Sequence, residues 1–132
     1  MTTVTTQNYR VELFLNSLRS LLAQKGLGYT NLLNIARLQK KMEALMLPYF
    51  EIRKELGVKY GIKDENGKDI IDPTKADLAN KEFEEVALAN VDFELESPLV
   101  LNLKDDSFLD LNLVKAFTDV IGEDNFKVVL PE

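Results

Sequence analysis

The sequence predicts an α+β domain: an N-terminal αα-hairpin with a long second helix, then a small lobe of short strands and two helices. Three observations carry this. Between Asn31 and Lys59 the apolar residues Ile35, Leu38, Met42, Leu45, Tyr49, Ile52 and Leu56 step by 3, 4, 3, 4, 3 and 4, an a/d seam held for about three heptads. A shorter helical stripe precedes it in the first quarter of the chain. After Asn90 the hydrophobic period falls to two, the mark of half-buried strands. The 132 residues fit one domain, divided into 1–6, 7–60 and 61–132.

Residues 1–6 are polar and Thr-rich and read as a flexible start, with Thr5 or Thr6 placed to cap a helix. The first helix is expected over Gln7–Lys25. Val11, Leu15, Leu18 and Leu22 form its stripe, Phe14 and Leu21 widen it, and Gly26 or Gly28 ends it. Thr30 or Asn31 would cap the second helix, and the short connection makes the pair antiparallel. At ~1.5 Å per residue the first helix spans about 28 Å and the second about 43 Å, so ~15 Å of the second runs past its partner. Tyr49, Phe50, Ile52 and Leu56 lie on that overhang. They need cover from the C-terminal half or from another subunit, which makes them the candidate interaction residues. Pro48 lacks an N–H and crowds the carbonyl of Ala44. The helix is therefore either kinked there or broken at Leu47–Pro48, with Pro48 opening the next helix.

Gly61 closes the long helix, and Asn66-Gly67 signals a ribbon or an exposed polar turn, both positions tolerating positive φ. The acids Asp64, Glu65 and Asp69 do not follow the EF-hand spacing, so a turn is favoured over an ion site. Thr74 or Asp77 begins a third helix that reaches about Ala89. Val91, Phe93 and Leu95 then alternate with Asp92, Glu94 and Glu96 as a strand. Ser97-Pro98 interrupts it, and Leu99, Leu101 and Leu103 form a second extended piece. Ser107, with Asp110 three residues on, opens a last helix that Gly122 ends. Phe126–Leu130 reads as a final strand.

Composition narrows the chemistry. There is no Cys and no His, which removes disulfides, thiolate nucleophiles, Cys-based metal centres and every Ser-His or Cys-His arrangement. No glycine-rich phosphate loop occurs, so no cofactor is expected. The paired carboxylates Glu84/Glu85, Glu94/Glu96 and Asp105/Asp106 are the residues an acid–base hydrolase or a Mg²⁺ or Ca²⁺ site would use, but the alternating strand sets Glu94 and Glu96 on a solvated face. No secretory leader precedes Asn8 and no window suits a membrane span, which places the chain in solution inside the cell that makes it. Charge is segregated. Residues 1–61 carry nine Lys and Arg against four Asp and Glu; residues 62–132 carry seven against eighteen. The halves are +5 and −11, a division suited to internal complementarity or to association between copies. Nucleic-acid binding through Arg37, Lys40, Lys41, Arg53 and Lys54 is opposed by the acidic second half.

The run Lys59-Tyr60-Gly61, the turn Asp64-Glu65-Asn66-Gly67, Phe83 and the acidic strand Val91–Leu95 follow a helical hairpin and precede a capped last helix. That order resembles small proteins of tailed phages and prophages, over about residues 30–122. The resemblance carries no catalytic residues. It implies a non-enzymatic accessory protein that works by protein–protein contact, with self-association, in virion or tail assembly, in the host cytoplasm or the virion. The alternative is an acidic, DNA-mimicking inhibitor of a host nucleic-acid-binding or defence protein.

Overall fold

Helix α1 (Asn8–Leu22) is the most deeply enclosed element of the structure, a computed structural model that describes residues 2–23, 27–102 and 111–129. Val11, Phe14, Leu15, Leu18 and Leu21 repeat at helical spacing and have no solvent exposure. Ser17 is buried with them, and its hydroxyl donates to the Leu13 carbonyl at 2.9 Å, so no polar group is stranded. Helix α2 (Tyr29–Tyr60) covers one side of α1, and α4 (Leu111–Ile121) covers another. The Phe14 ring meets Phe117 of α4 edge-on at 5.2 Å. Phe117 in turn meets Phe126 of the last strand at 5.1 Å. This aromatic chain welds the N-terminal helix to the C-terminal lobe.

The α+β class and the helical hairpin are as the sequence predicts. Helix α2 has 32 residues, about 48 Å against about 22 Å for α1, so its overhang exceeds the expected one. It is continuous through Pro48, which removes the broken-helix alternative. The missing N–H frees the Ala44 carbonyl, and both residues are exposed, so water can satisfy it. The inner seam shifts along the helix. Ile35 and Met42 are fully buried, but the next buried position is Met46, with Leu45 only partly covered. A helix of 3.6 residues per turn drifts ~20° per heptad from a 3.5-residue repeat, enough for Met46 to replace Leu45. Gly28 caps α2 and places Thr30 and Asn31 inside it. Asn31 is nearly buried; its Nδ2 donates to the Asn102 carbonyl at 2.8 Å and its Oδ1 accepts the Asn102 N–H at 3.3 Å. One side chain thus ties the start of α2 to the C-terminal lobe.

The start of the chain is a correction to the sequence reading. Of the expected flexible lead, residues 2–6 are ordered: Thr2–Gln7 is strand β1, paired antiparallel with β4 (Asn90–Leu95) from Thr2↔Leu95 to Gln7↔Asn90. The β-branched run favours extension, and Val4 is buried opposite Phe93. Thr5 and Thr6 are strand residues rather than caps, and Thr3 Oγ1 donates to Glu94 Oε1 at 2.6 Å across the pair.

Strands β2 (Gly61–Lys63) and β3 (Asp69–Ile71) form the ribbon at the end of α2. Gly67 donates to the Asp64 carbonyl and has φ 77°, while the Asp64 carboxylate accepts the N–H groups of Asn66 and Lys68. The five residues between the strands hold one left-handed glycine, so Asn66 does not take positive φ as the sequence reading allowed. Asp72 caps a short 3-10 turn, Pro73–Lys75, that leads into α3 (Ala76–Leu88). Strand β5 (Leu99–Asn102) runs parallel to β6 (Phe126–Val129), with α4 between them in the chain. The capping pair Ser107 and Asp110, and Leu130, lie outside the described residues. Gly122 ends α4 with φ 81°.

Phe117→Ala is expected to cost ~3–5 kcal/mol in denaturant unfolding, because it empties the junction between α1, α4 and β6. Pro48→Ala is expected to raise stability by up to about 3 kcal/mol, the interior cost of proline against alanine. A fall in Tm for Pro48→Ala would show instead that packing at Met46 and Tyr49 requires a proline bend.

Candidate interaction surface

The overhang of α2 is covered by its own chain. Tyr49 is buried: the Arg53 guanidinium lies 5.4 Å over its ring, and Arg53 Nη1 donates to both carboxylate oxygens of Glu12 at 2.7 and 2.9 Å. Burial pushes the Tyr49 hydroxyl above its ordinary pKa, and the Glu12 carboxylate adds to the effect. Phe50 is half-buried against the core, 5.5 Å from the Tyr49 ring, and Leu56 is half-buried. Ile52 is 42% exposed and opens into a groove of about 380 Å³ lined also by Pro48, Glu85 and Val86. Of the four candidate interaction residues, for which cover from the C-terminal half or from another subunit is expected, Ile52 is the one that is exposed.

Helix α3 and the ribbon supply the cover. Lys59 Nζ donates to Glu82 at 3.1 Å, and the Asp72 N–H donates to the Tyr60 carbonyl at 2.8 Å above a buried Tyr60. The Lys59 ammonium, with Tyr60 second, holds Glu82 below the usual carboxylate range; Glu82 in turn raises Lys59.

The opposite face of α2 is bare. Leu33, Arg37, Lys40, Ala44, Leu47, Glu51, Lys54 and Val58 are all exposed and step by 4, 3, 4, 3, 4, 3 and 4. This is a second a/d line, two residues or ~200° around the helix from the inner seam. Leu33 is 51%, Leu47 56% and Val58 77% exposed. None of Arg37, Lys40, Glu51 and Lys54 makes an ion pair with another described residue. Near its end Val58 joins Gly57, Ile62 and Ile71 around a cleft of about 600 Å³ between α2 and the ribbon. A Cβ added at Gly57 would meet nothing, so the core does not require that glycine.

Sequence reasoning registered Arg37, Lys40 and Lys54 only as basic charge and did not join them to Leu33, Ala44, Leu47, Glu51 and Val58, because half of the line is charged and a hydrophobicity pattern registers only the apolar half. Its regular spacing was the available signal.

The two carboxylate pairs among the described residues lie on the surface. Glu84 and Glu85 are exposed on α3; Glu94 is exposed on β4 and Glu96 in the bend just after it, with Glu94 engaged by Thr3 and its carbonyl accepting from Lys41 Nζ. Asp105 and Asp106 lie outside the described residues. Among the described residues no three carboxylates are placed to hold a metal ion, and no helix is long and apolar enough to cross a membrane.

The Lys59–Glu82 clamp has a definite pH signature. A carboxylate lowered by folding stabilises above its unfolded pKa and loses that contribution as pH falls through its folded value. A raised lysine keeps its contribution until pH climbs through its raised value. The clamp therefore holds at neutral pH and weakens in acid. Glu82→Gln is expected to flatten the acid limb of a Tm-against-pH profile; an unchanged limb would mean that the contact does not couple to folding.

Comparison with known proteins gave no match: no protein-family model fits the chain, and no curated protein or solved structure is significantly similar to it.

Proposed function

We propose that this chain is a non-enzymatic binding protein that works through the outer face of α2. It belongs in kind with the small tailed-phage accessory proteins its sequence resembles, and it acts in virion or tail assembly in the host cytoplasm or the virion. One observation carries the reading. A helix of 32 residues keeps its own domain on one side and leaves a regular line of eight positions uncovered on the other. Exposed apolar residues at helical spacing favour a partner of complementary helical or groove shape.

A second reading is favoured by the acidic lobe. Asp77, Glu84, Glu85, Asp92 and Glu96 are exposed and make no ion pair with described residues. Such a surface suits an inhibitor that occupies a nucleic-acid-binding site.

Affinity capture from host extract, comparing two variants with the native chain, separates the readings. Leu47→Asp combined with Val58→Asp is expected to abolish capture while far-UV circular dichroism stays unchanged. Glu84→Lys combined with Glu85→Lys is expected to leave capture intact. The reverse pattern would support the inhibitor and overturn the reading through α2.

A further inference from the structure

The outer line of α2 has a property beyond exposure: its spacing reads the same from both ends, with its centre between Leu45 and Met46. In an antiparallel pair of helices each a position faces a d position of the partner. Related by a two-fold axis through that centre, two copies of α2 would set Leu33 opposite Val58 and Ala44 opposite Leu47. Lys40 would meet Glu51, and Arg37 would meet Lys54, each contact occurring twice.

From this register we infer that the outer face of α2 binds a second copy of the same chain, antiparallel, which rests on the reading of that face as a binding surface. Charge decides the orientation. In a parallel pair every position meets itself, so Arg37, Lys40, Glu51 and Lys54 would each oppose a like charge, four repulsive layers among eight. The antiparallel pair keeps four apolar layers and turns Lys40 and Glu51 into two attractive layers. Like charges remain only where Arg37 meets Lys54, and there the exposed Glu55, adjacent to Lys54 and without an ion pair to a described residue, flanks the contact. Neither the Lys40 ammonium nor the Glu51 carboxylate makes an ion pair with a described residue, so pairing them breaks no such contact. Residues 33–58 give the two helices about 39 Å of contact length. The distal cleft beside Val58 comes within reach of Leu33 of the other copy.

The test is a charge swap read by light scattering on a size-exclusion column, over a concentration series. The native chain, 15.0 kDa, is expected at twice that mass at the upper concentrations. Lys40→Glu alone opposes two carboxylates, and Glu51→Lys alone opposes two ammonium groups; each is expected to give monomer. The double variant, Lys40→Glu with Glu51→Lys, restores the opposite charges and is expected to recover the dimer. Both positions are exposed, and circular dichroism confirms folding in each case. A native monomer at every concentration, or a double variant no better than the single ones, overturns the antiparallel pairing. If that happens while Leu47→Asp with Val58→Asp still abolishes capture of a host protein, the outer face remains the binding surface and only its occupant was misassigned. If capture is also untouched, the reading through α2 fails with it.

Discussion

Burial of α1 is the constraint on which the rest of the molecule depends. Five fully enclosed apolar side chains in 15 residues cannot be covered by one neighbour. Helix α2 takes one side, α4 another, and the Phe14–Phe117–Phe126 contacts extend the same core into the final strand. The smaller pairings depend on this arrangement. Strand β1 leads directly into α1, so fixing α1 fixes where β1 must run, and β4 finds its antiparallel partner there. The Asn8 N–H and side chain reach the carbonyls of Ala89 and Val86, which sets the end of α3 against the start of α1. Two-stranded sheets are marginal alone; here each is anchored by a helix.

Much of this was legible in the sequence because it is written in periodicity and punctuation. The 3-4 steps announce both N-terminal helices. The Asn-Gly turn announces the ribbon, the change to period two announces β4 and β5, and Gly122 marks the end of α4. What was not legible required a partner far along the chain. Thr2–Gln7 has too little apolar content to declare itself a strand, and only Val4 lying opposite Phe93 makes it one. Asn31 reads locally as a helix cap, yet its amide is used by Asn102, 71 residues away. Nor could the sequence show that Tyr49 would be enclosed by Arg53 and Glu12, since that contact depends on how α1 and α2 are juxtaposed.

Helix α2 presents two unlike faces. Its apolar seam, the obvious feature, is spent on its own domain. The side that remains is half-charged and less hydrophobic, and its regular spacing is what distinguishes it from an ordinary solvated face. Long helices on small domains are commonly covered or shortened; this one is 32 residues long and bare along one side. The basic charges of the N-terminal half and the acidic charges of the C-terminal lobe then have separate uses. Arg53 and Lys59 tie α2 to α1 and α3 through Glu12 and Glu82, whereas Lys40 and Glu51 make no ion pair with a described residue.

Because the chain has no native cysteine, a spin label can be placed at one position without a background. Pulsed dipolar spectroscopy on Ala44→Cys and Leu33→Cys, each labelled singly, tests directly whether α2 pairs with itself and in which orientation. The antiparallel two-fold pairing requires a short distance at position 44, beside the axis. At position 33 it requires a separation of about 37 Å along the helices. Short distances at both positions would demand a parallel pair, and no dipolar coupling at either would mean that α2 does not pair with itself.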